Sequence, residues 1–185
     1  MLKLLLLGAT LLALAACQAT YPRYPVGTYD TAAAFRRGQP SRVGTQVKPD
    51  FWGRHVVVKQ DLTGTRAPVA LDSIWGYARA SGQAYRCVGH YVYAVQQVDT
   101  LAVYSRHVGK TTLYYCSQGL AGPLVLLRRR PVRQAFATNP AFTSLLEQTH
   151  LYRHLTAREP HAAGTRYRVV ALYRQSLGPA AGSPP

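Results

Sequence analysis

Between residues 51 and 130 the chain is cut into short apolar stretches, rich in β-branched and aromatic side chains, with a turn signal about every eight to twelve residues. Segments this short leave little room for helices, so the spacing restricts the chain to hairpin-connected strands. His55–Lys59 holds three consecutive valines; Leu62-Thr63-Gly64-Thr65 follows as a turn, and residues 67–71 return. Residues 74–78 precede the Ser81-Gly82 turn and a strand over Ala84–Val88. Residues 90–98, the Asp99-Thr100 turn, Leu101–Val108, the Gly109-Lys110 turn, residues 111–117 and residues 123–129 complete an antiparallel meander. Within 90–98 both alternating faces are mostly apolar, which predicts a sheet covered on both sides or curled into a partly closed roll.

Helical signals flank this region. Thr31 caps a short helix over 32–37 that Gly38 stops, with Phe35 as its anchor. Pro131 suits the first turn of a helix through Phe136, and Asn139-Pro140 opens another. Phe142, Leu145, Leu146, Thr149 and Tyr152 or Arg153 fall at helical spacing, carrying an apolar stripe through Leu155 until Pro160. Residues 166–174 alternate with period two and predict a final strand returning to the sheet. The expected fold is α+β: a β-meander or partly closed roll over residues 27–175, covered by C-terminal helices.

The first sixteen residues read differently. Met1-Leu2-Lys3 precedes a Leu-rich run of thirteen residues, 4–16. As a helix it would span about 20 Å, short of the roughly 30 Å hydrocarbon core of a bilayer. One basic residue, a short apolar stretch and small residues describe a secretory signal rather than a membrane span. Leu14-Ala15-Ala16-Cys17 resembles the bacterial lipobox. That resemblance implies removal of residues 1–16, a diacylglyceryl group on the Cys17 sulfur and acylation of its new amine. The next residues, Gln18-Ala19-Thr20-Tyr21, contain no acid, which favours an outer-membrane anchor facing the periplasm. Residues 17–26 then form a proline-stiffened tether reaching about 28 Å, and residues 176–185 a disordered Gly/Ala/Ser/Pro tail.

The formal charge is +15; Lys3 accounts for one, leaving +14 after the leader. In the cytoplasm this would suggest nucleic acid, but the export signal argues against that partner and leaves an anionic envelope component, such as lipid head groups or lipopolysaccharide phosphates. The alternative is that arginine, at 18 residues against 4 lysines, is merely frequent in this chain. Arg128-Arg129-Arg130 with Arg133 is the densest cluster, either a basic patch for anionic head groups or a solvated connection.

Two segments resemble an uncharacterised family of bacterial envelope lipoproteins and secreted proteins: Gly27-Thr28-Tyr29-Asp30-Thr31 through Phe35 to Pro40-Ser41, and Leu71-Asp72-Ser73-Ile74-Trp75-Gly76-Tyr77 followed by Gly82 and Tyr85-Arg86. With Tyr114-Tyr115 and Asn139-Pro140-Ala141-Phe142 the likeness runs from residue 27 to about 146. It implies a compact domain with a β core and no particular activity. Cys116 stands where an aromatic residue would be expected, which places it at a buried position.

The inventory for catalysis is thin. Cys87 and Cys116 remain once Cys17 is lipidated, and an exported chain permits a disulfide between them. Two strands separate them in a meander, however, which favours two free thiols. Cys87 with His90 lacks an orienting third group. Glu147, His150 and His154 have zinc-pair spacing on the expected helix, but Leu151 stands where a metalloprotease needs glutamate, so a solvated polar stripe is the simpler reading. No phosphate loop, dinucleotide fingerprint or nucleophile elbow occurs, and no metal or cofactor is expected. These observations favour a non-enzymatic structural or partner-binding protein, held to the membrane by its lipid. The alternative is an envelope hydrolase whose site is assembled from residues distant in sequence.

Overall fold

The computed structural model describes residues 24–60, 64–149, 152–161 and 164–178. The leader, Cys17, most of the tether, Leu62-Thr63, His150 and the end of the tail lie outside the described residues.

Gly27–Tyr29 forms β1, and the Thr31 hydroxyl accepts the Ala34 amide at 3.1 Å to cap α1, Ala32–Arg36. The chain continues through Arg42–Val43 (β2), Gln46–Pro49 (β3), His55–Lys59 (β4) and Arg66–Ala70 (β5). Gly76–Ala78 (β6), Ala84–Val88 (β7), Tyr91–Gln97 (β8), Leu101–Val108 (β9), Thr111–Gln118 (β10) and Val125–Leu126 (β11) follow. Arg129–Ala135 (α2), Pro140–Gln148 (α3), Arg158–His161 (β12), Gly164–Tyr167 (β13) and Arg168–Ser176 (α4) complete the described elements.

Strands β6 to β11 pair in sequence order, and β1 and β2 extend the β6 edge, giving an antiparallel sheet of order β11-β10-β9-β8-β7-β6-β1-β2. The fold is therefore α+β around a β-meander, with the sheet open. At the β9–β10 hairpin Thr111 pairs with Val108 around Gly109, whose φ of 59° suits the tight turn. Gly76 is needed for another reason: a Cβ there would lie 2.2 Å from the Tyr85 carbonyl oxygen on β7. β3, β4 and β5 form a separate three-stranded sheet, and β12 and β13 pair as a two-stranded ribbon.

The large sheet is apolar on both faces because both are covered. On one face Leu101, Val103 and Cys116 pack beneath Val132, Phe136, Phe142, Leu146, Val169 and Val170 of the helices. Farther along that face Tyr77 and Cys87 meet Val47, Val56, Val58 and Val69 of the three-stranded sheet. The opposite face, with Tyr29, Ala84, Tyr93, Val95 and Tyr104, is closed by Phe35 and by Leu120 from the β10–β11 loop.

Four expectations change. Residues 166–174 do not form a returning strand: the strand ends at Tyr167 and α4 begins at Arg168. Apolar residues occupy both parities here, so the segment also satisfies helical spacing, and Val169, Val170 and Tyr173 bury one helical face. A helix closes its own backbone hydrogen bonds, whereas a strand here would present a new open edge. Helix α2 starts two residues before Pro131, and α3 stops at Gln148, well short of Pro160, which lies inside β12. Finally, the last tether residues belong to the domain: Tyr24 stacks on Phe35 with ring centroids 4.0 Å apart, and Val26 packs against the core beneath the three-stranded sheet.

Candidate functional site

Strand alternation sorts the three-stranded sheet into two chemistries. Val47, Val56, Val58 and Val69 face inward, leaving Lys48, His55, Lys59 and Arg66 on the outer side, where Lys59 pairs with Arg66 and Lys48 with Val57. The loop joining β3 to β4 is tied off by Asp50. Its Oδ1 accepts the Arg54 amide at 2.9 Å and the His55 amide at 3.2 Å, and its Oδ2 lies 3.2 Å from His55 Nδ1. Gly53, with φ at 64°, makes the reversal. Desolvation is the largest single influence on Asp50 and raises its pKa, but the His55 amide and ring and the Arg54 amide together outweigh it, so the carboxyl lies below its ordinary range. With its two ends tied together by Asp50, the loop displays Phe51 and Trp52, 92% and 79% exposed, in an edge-to-face pair 5.2 Å apart. Arg54 is exposed beside them, and Asp72, after β5, is exposed at the same end of the sheet.

The arginine cluster read from sequence is the surface connection from β11 into α2. Arg128, Arg129 and Arg130 are exposed, and Arg129, Arg130 and Arg133 line an open groove with Gln134 and Ala137. Arg133 is 3.5 Å from Glu147. The other ion-paired glutamate and Asp99 serve the C-terminal elements: Asp99 holds Arg174 at 3.0 Å and Arg166 at 3.8 Å, and Glu159 holds Arg168 at 3.4 Å. These pairings leave Lys48, Arg54, Lys59, Arg66 and Arg128 to Arg130 without an ion-paired carboxylate among the described residues, as they do Arg36, Arg37, Arg42, Arg79, Arg106 and Lys110.

One polar network lies inside the fold. Arg86 on β7 is 7% exposed, with no carboxylate in ion-pair reach among the described residues. Its Nη2 donates to the Gly122 carbonyl at 2.8 Å, and Nη1 to Ser117 Oγ at 3.3 Å and Tyr104 Oη at 3.4 Å. The guanidinium lies 5.9 Å from the Trp75 ring centroid and 5.4 Å from that of Tyr104. Trp75 Nε1 donates to Leu120 O at 3.0 Å, so both side chains fasten the β10–β11 loop to the sheet. Sequence reasoning missed this role, because arginine in a strand reads as a surface residue; Trp75 and Tyr85-Arg86 drew notice only as motif residues. Ser117 has Tyr104, Arg86 and the Gly119 carbonyl as partners and, among the described residues, no histidine or carboxylate to take its proton.

The remaining candidates are not brought together. Cys87 and Cys116 are free, buried in different core clusters, and the disulfide alternative is not formed. Burial pushes both thiols up to about 12, so they are protonated and unreactive at neutral pH. Cys87 points into the core while His90 stands in the exposed β7–β8 turn. Glu147 is near the end of α3 and His154 is exposed on a separate 3-10 turn, so the two share no helix face, and His150 lies outside the described residues. Among the described residues no three His, Cys, Asp or Glu side chains gather as a metal site, and no helix is long and apolar enough to cross a membrane. No family model, curated protein or solved structure matches the chain.

Proposed function

We propose that this chain is a lipid-anchored protein of the bacterial cell envelope, held at the outer membrane on its periplasmic side, that works by binding an anionic partner and not by catalysis. The observation that carries the reading is the distribution of charge. Asp99, Glu147 and Glu159 are committed to arginines of the α2–α4 region, which leaves Lys48, Lys59 and Arg66 on one outer sheet face and Arg128 to Arg130 as two groups of cations with no ion pair among the described residues, beside further exposed cations such as Arg36, Arg37, Arg42 and Lys110. A cationic surface with few free carboxylates attracts polyanions by its field and sheds little of that attraction to internal pairing. The lipobox at residues 14–17 supplies the location and so the class of partner: phosphate-bearing lipid or saccharide at the membrane surface. The resemblance to envelope lipoproteins over residues 27 to about 146 supports the same setting.

The test is intact mass and membrane fractionation of the expressed chain beside Cys17→Ser. A chain beginning at Cys17 with added acyl mass, membrane-bound only with the cysteine present, is the expected result. An unmodified chain recovered in the soluble fraction overturns the reading and reopens nucleic-acid binding by the +14 remainder of the chain.

A further inference from the structure

We infer that the β3–β4 loop is a second membrane contact, in which Phe51 and Trp52 enter the interface of an anionic phospholipid surface while Lys48, Arg54, Lys59 and Arg66 lie over its head groups. The inference names the partner for the cationic sheet face and rests on the envelope reading above.

Three observations converge. First, Phe51 and Trp52 are the two most exposed large apolar side chains among the described residues, and they are neighbours. Their exposure is built in: Asp50 bridges to the Arg54 and His55 amides and the His55 ring, and Gly53 turns the chain, so the aromatic pair stands on a tied-off loop. Indole and phenyl groups presented this way suit the zone between head groups and acyl chains, where Trp is favoured.

Second, the surrounding charge fits that ligand and disfavours a neutral or cationic one. Lys48, Lys59, Arg66 and Arg54 carry no ion pair among the described residues, and their alternation sets Lys48, Lys59 and Arg66 on one side of the sheet. Asp50 is turned inward on its N–H donors, and Asp72 is the one other described carboxylate near the tip. Each cation near an anionic leaflet is worth about a fivefold change in partitioning, and an apolar pair flanked by cations is the composition of interfacial anchors.

Third, the geometry of the chain allows the tip and the anchor to meet one leaflet. Val26 O accepts the Gly44 amide at 3.1 Å and Lys59 O the Thr45 amide at 2.8 Å, so the chain enters the domain at the Lys59 end of the three-stranded sheet. β4 then spans about 13 Å at roughly 3.3 Å per residue to reach the tip. The seven steps from Cys17 to Tyr24 cover about 22 Å when extended. A domain lying on its cationic face therefore keeps both contacts within the tether, and the second contact fixes an orientation that a flexible anchor alone leaves free.

The experiment uses the full chain, purified from membranes and reconstituted into vesicles of phosphatidylethanolamine with or without phosphatidylglycerol, some carrying brominated acyl chains. Acylation is read by mass, and tryptophan quenching is compared among wild type, Phe51→Ser, Lys48→Glu/Arg54→Glu and Trp52→Ser, the last reporting Trp75 alone. Expected are quenching in phosphatidylglycerol vesicles that is absent from Trp52→Ser, weakened several-fold by Phe51→Ser, and lowered tenfold or more by the double charge reversal or by high salt. All four proteins should share one melting temperature, since the altered residues are exposed. An acylated chain whose Trp52 remains unquenched overturns the tip contact and leaves the anchor standing. A chain that carries no acyl group yet shows Trp52 quenching overturns the anchor and leaves the tip contact. Equal quenching with and without phosphatidylglycerol overturns the assignment of an anionic surface.

Discussion

Replacing Arg86 by lysine keeps the charge and the apolar stem but removes the fork that reaches Gly122, Ser117 and Tyr104 together. The 2.8 Å contact to the Gly122 carbonyl is the strong one, a charge-assisted bond worth about 1.5–3 kcal/mol. The contacts at 3.3 and 3.4 Å contribute less. Two ring faces at 5.9 and 5.4 Å add a further increment of about 0.5–1 kcal/mol each. An ammonium can retain one of these interactions and is more costly to dehydrate than a guanidinium. Arg86→Lys should therefore destabilise the fold by about 2–3 kcal/mol, lowering Tm by roughly 4–12 °C for a chain of this size. Arg86→Met gives the opposing test. It orphans the Gly122 carbonyl but abolishes the cost of burying a cation with no carboxylate, so its loss should be smaller, about 0–2 kcal/mol. Urea unfolding followed by circular dichroism measures both. Hydrogen exchange at the Trp75 indole N–H, whose acceptor Leu120 sits on the clamped loop, shows whether the loop is released. A lysine variant within about 0.5 kcal/mol of wild type, or a methionine variant less stable than the lysine one, would show that the guanidinium fork does not clamp the loop.

Two further predictions concern titration and the C-terminal elements. Burial raises Cys87 and Cys116 from 9.0 to about 12, and chiefly burial raises Tyr29 and Tyr77 from 10.0 to about 12. The native state then keeps protons that the unfolded chain releases, so stability is full below about pH 9 and falls as pH rises toward 12. The slope is about 1.4 kcal/mol per pH unit for each group ionised only when unfolded. Urea midpoints at pH 8, 9 and 10 check this, and a flat or rising profile would sink it. Asp99→Asn removes the charge that holds Arg166 and Arg174, and should cost about 1–2 kcal/mol, limited by the half-exposed Arg174. An unchanged urea midpoint would show that packing alone seats α4.

Local chemistry determined the meander and its punctuation. Ala84–Val88 and Leu101–Val108 have the same ends in sequence and structure, because period-two side chains and turn residues act within a few positions of each other. Asn139 likewise caps α3 through the Phe142 amide at 2.9 Å. Tertiary structure decided the rest. Residues 168–176 fit both periods, and the packing of Val169, Val170 and Tyr173 in the core goes with the helix. The His150–His154 spacing needed a helix that ends at Gln148. Nothing local marks Arg86 as buried, since Tyr104, Ser117 and Gly122 reach it from 18, 31 and 36 residues away. Nor does Phe51-Trp52 announce its exposure, which follows from the turn tied by Asp50. Pattern fixes which face of an element is apolar, whereas what covers that face depends on contacts between segments far apart in the chain.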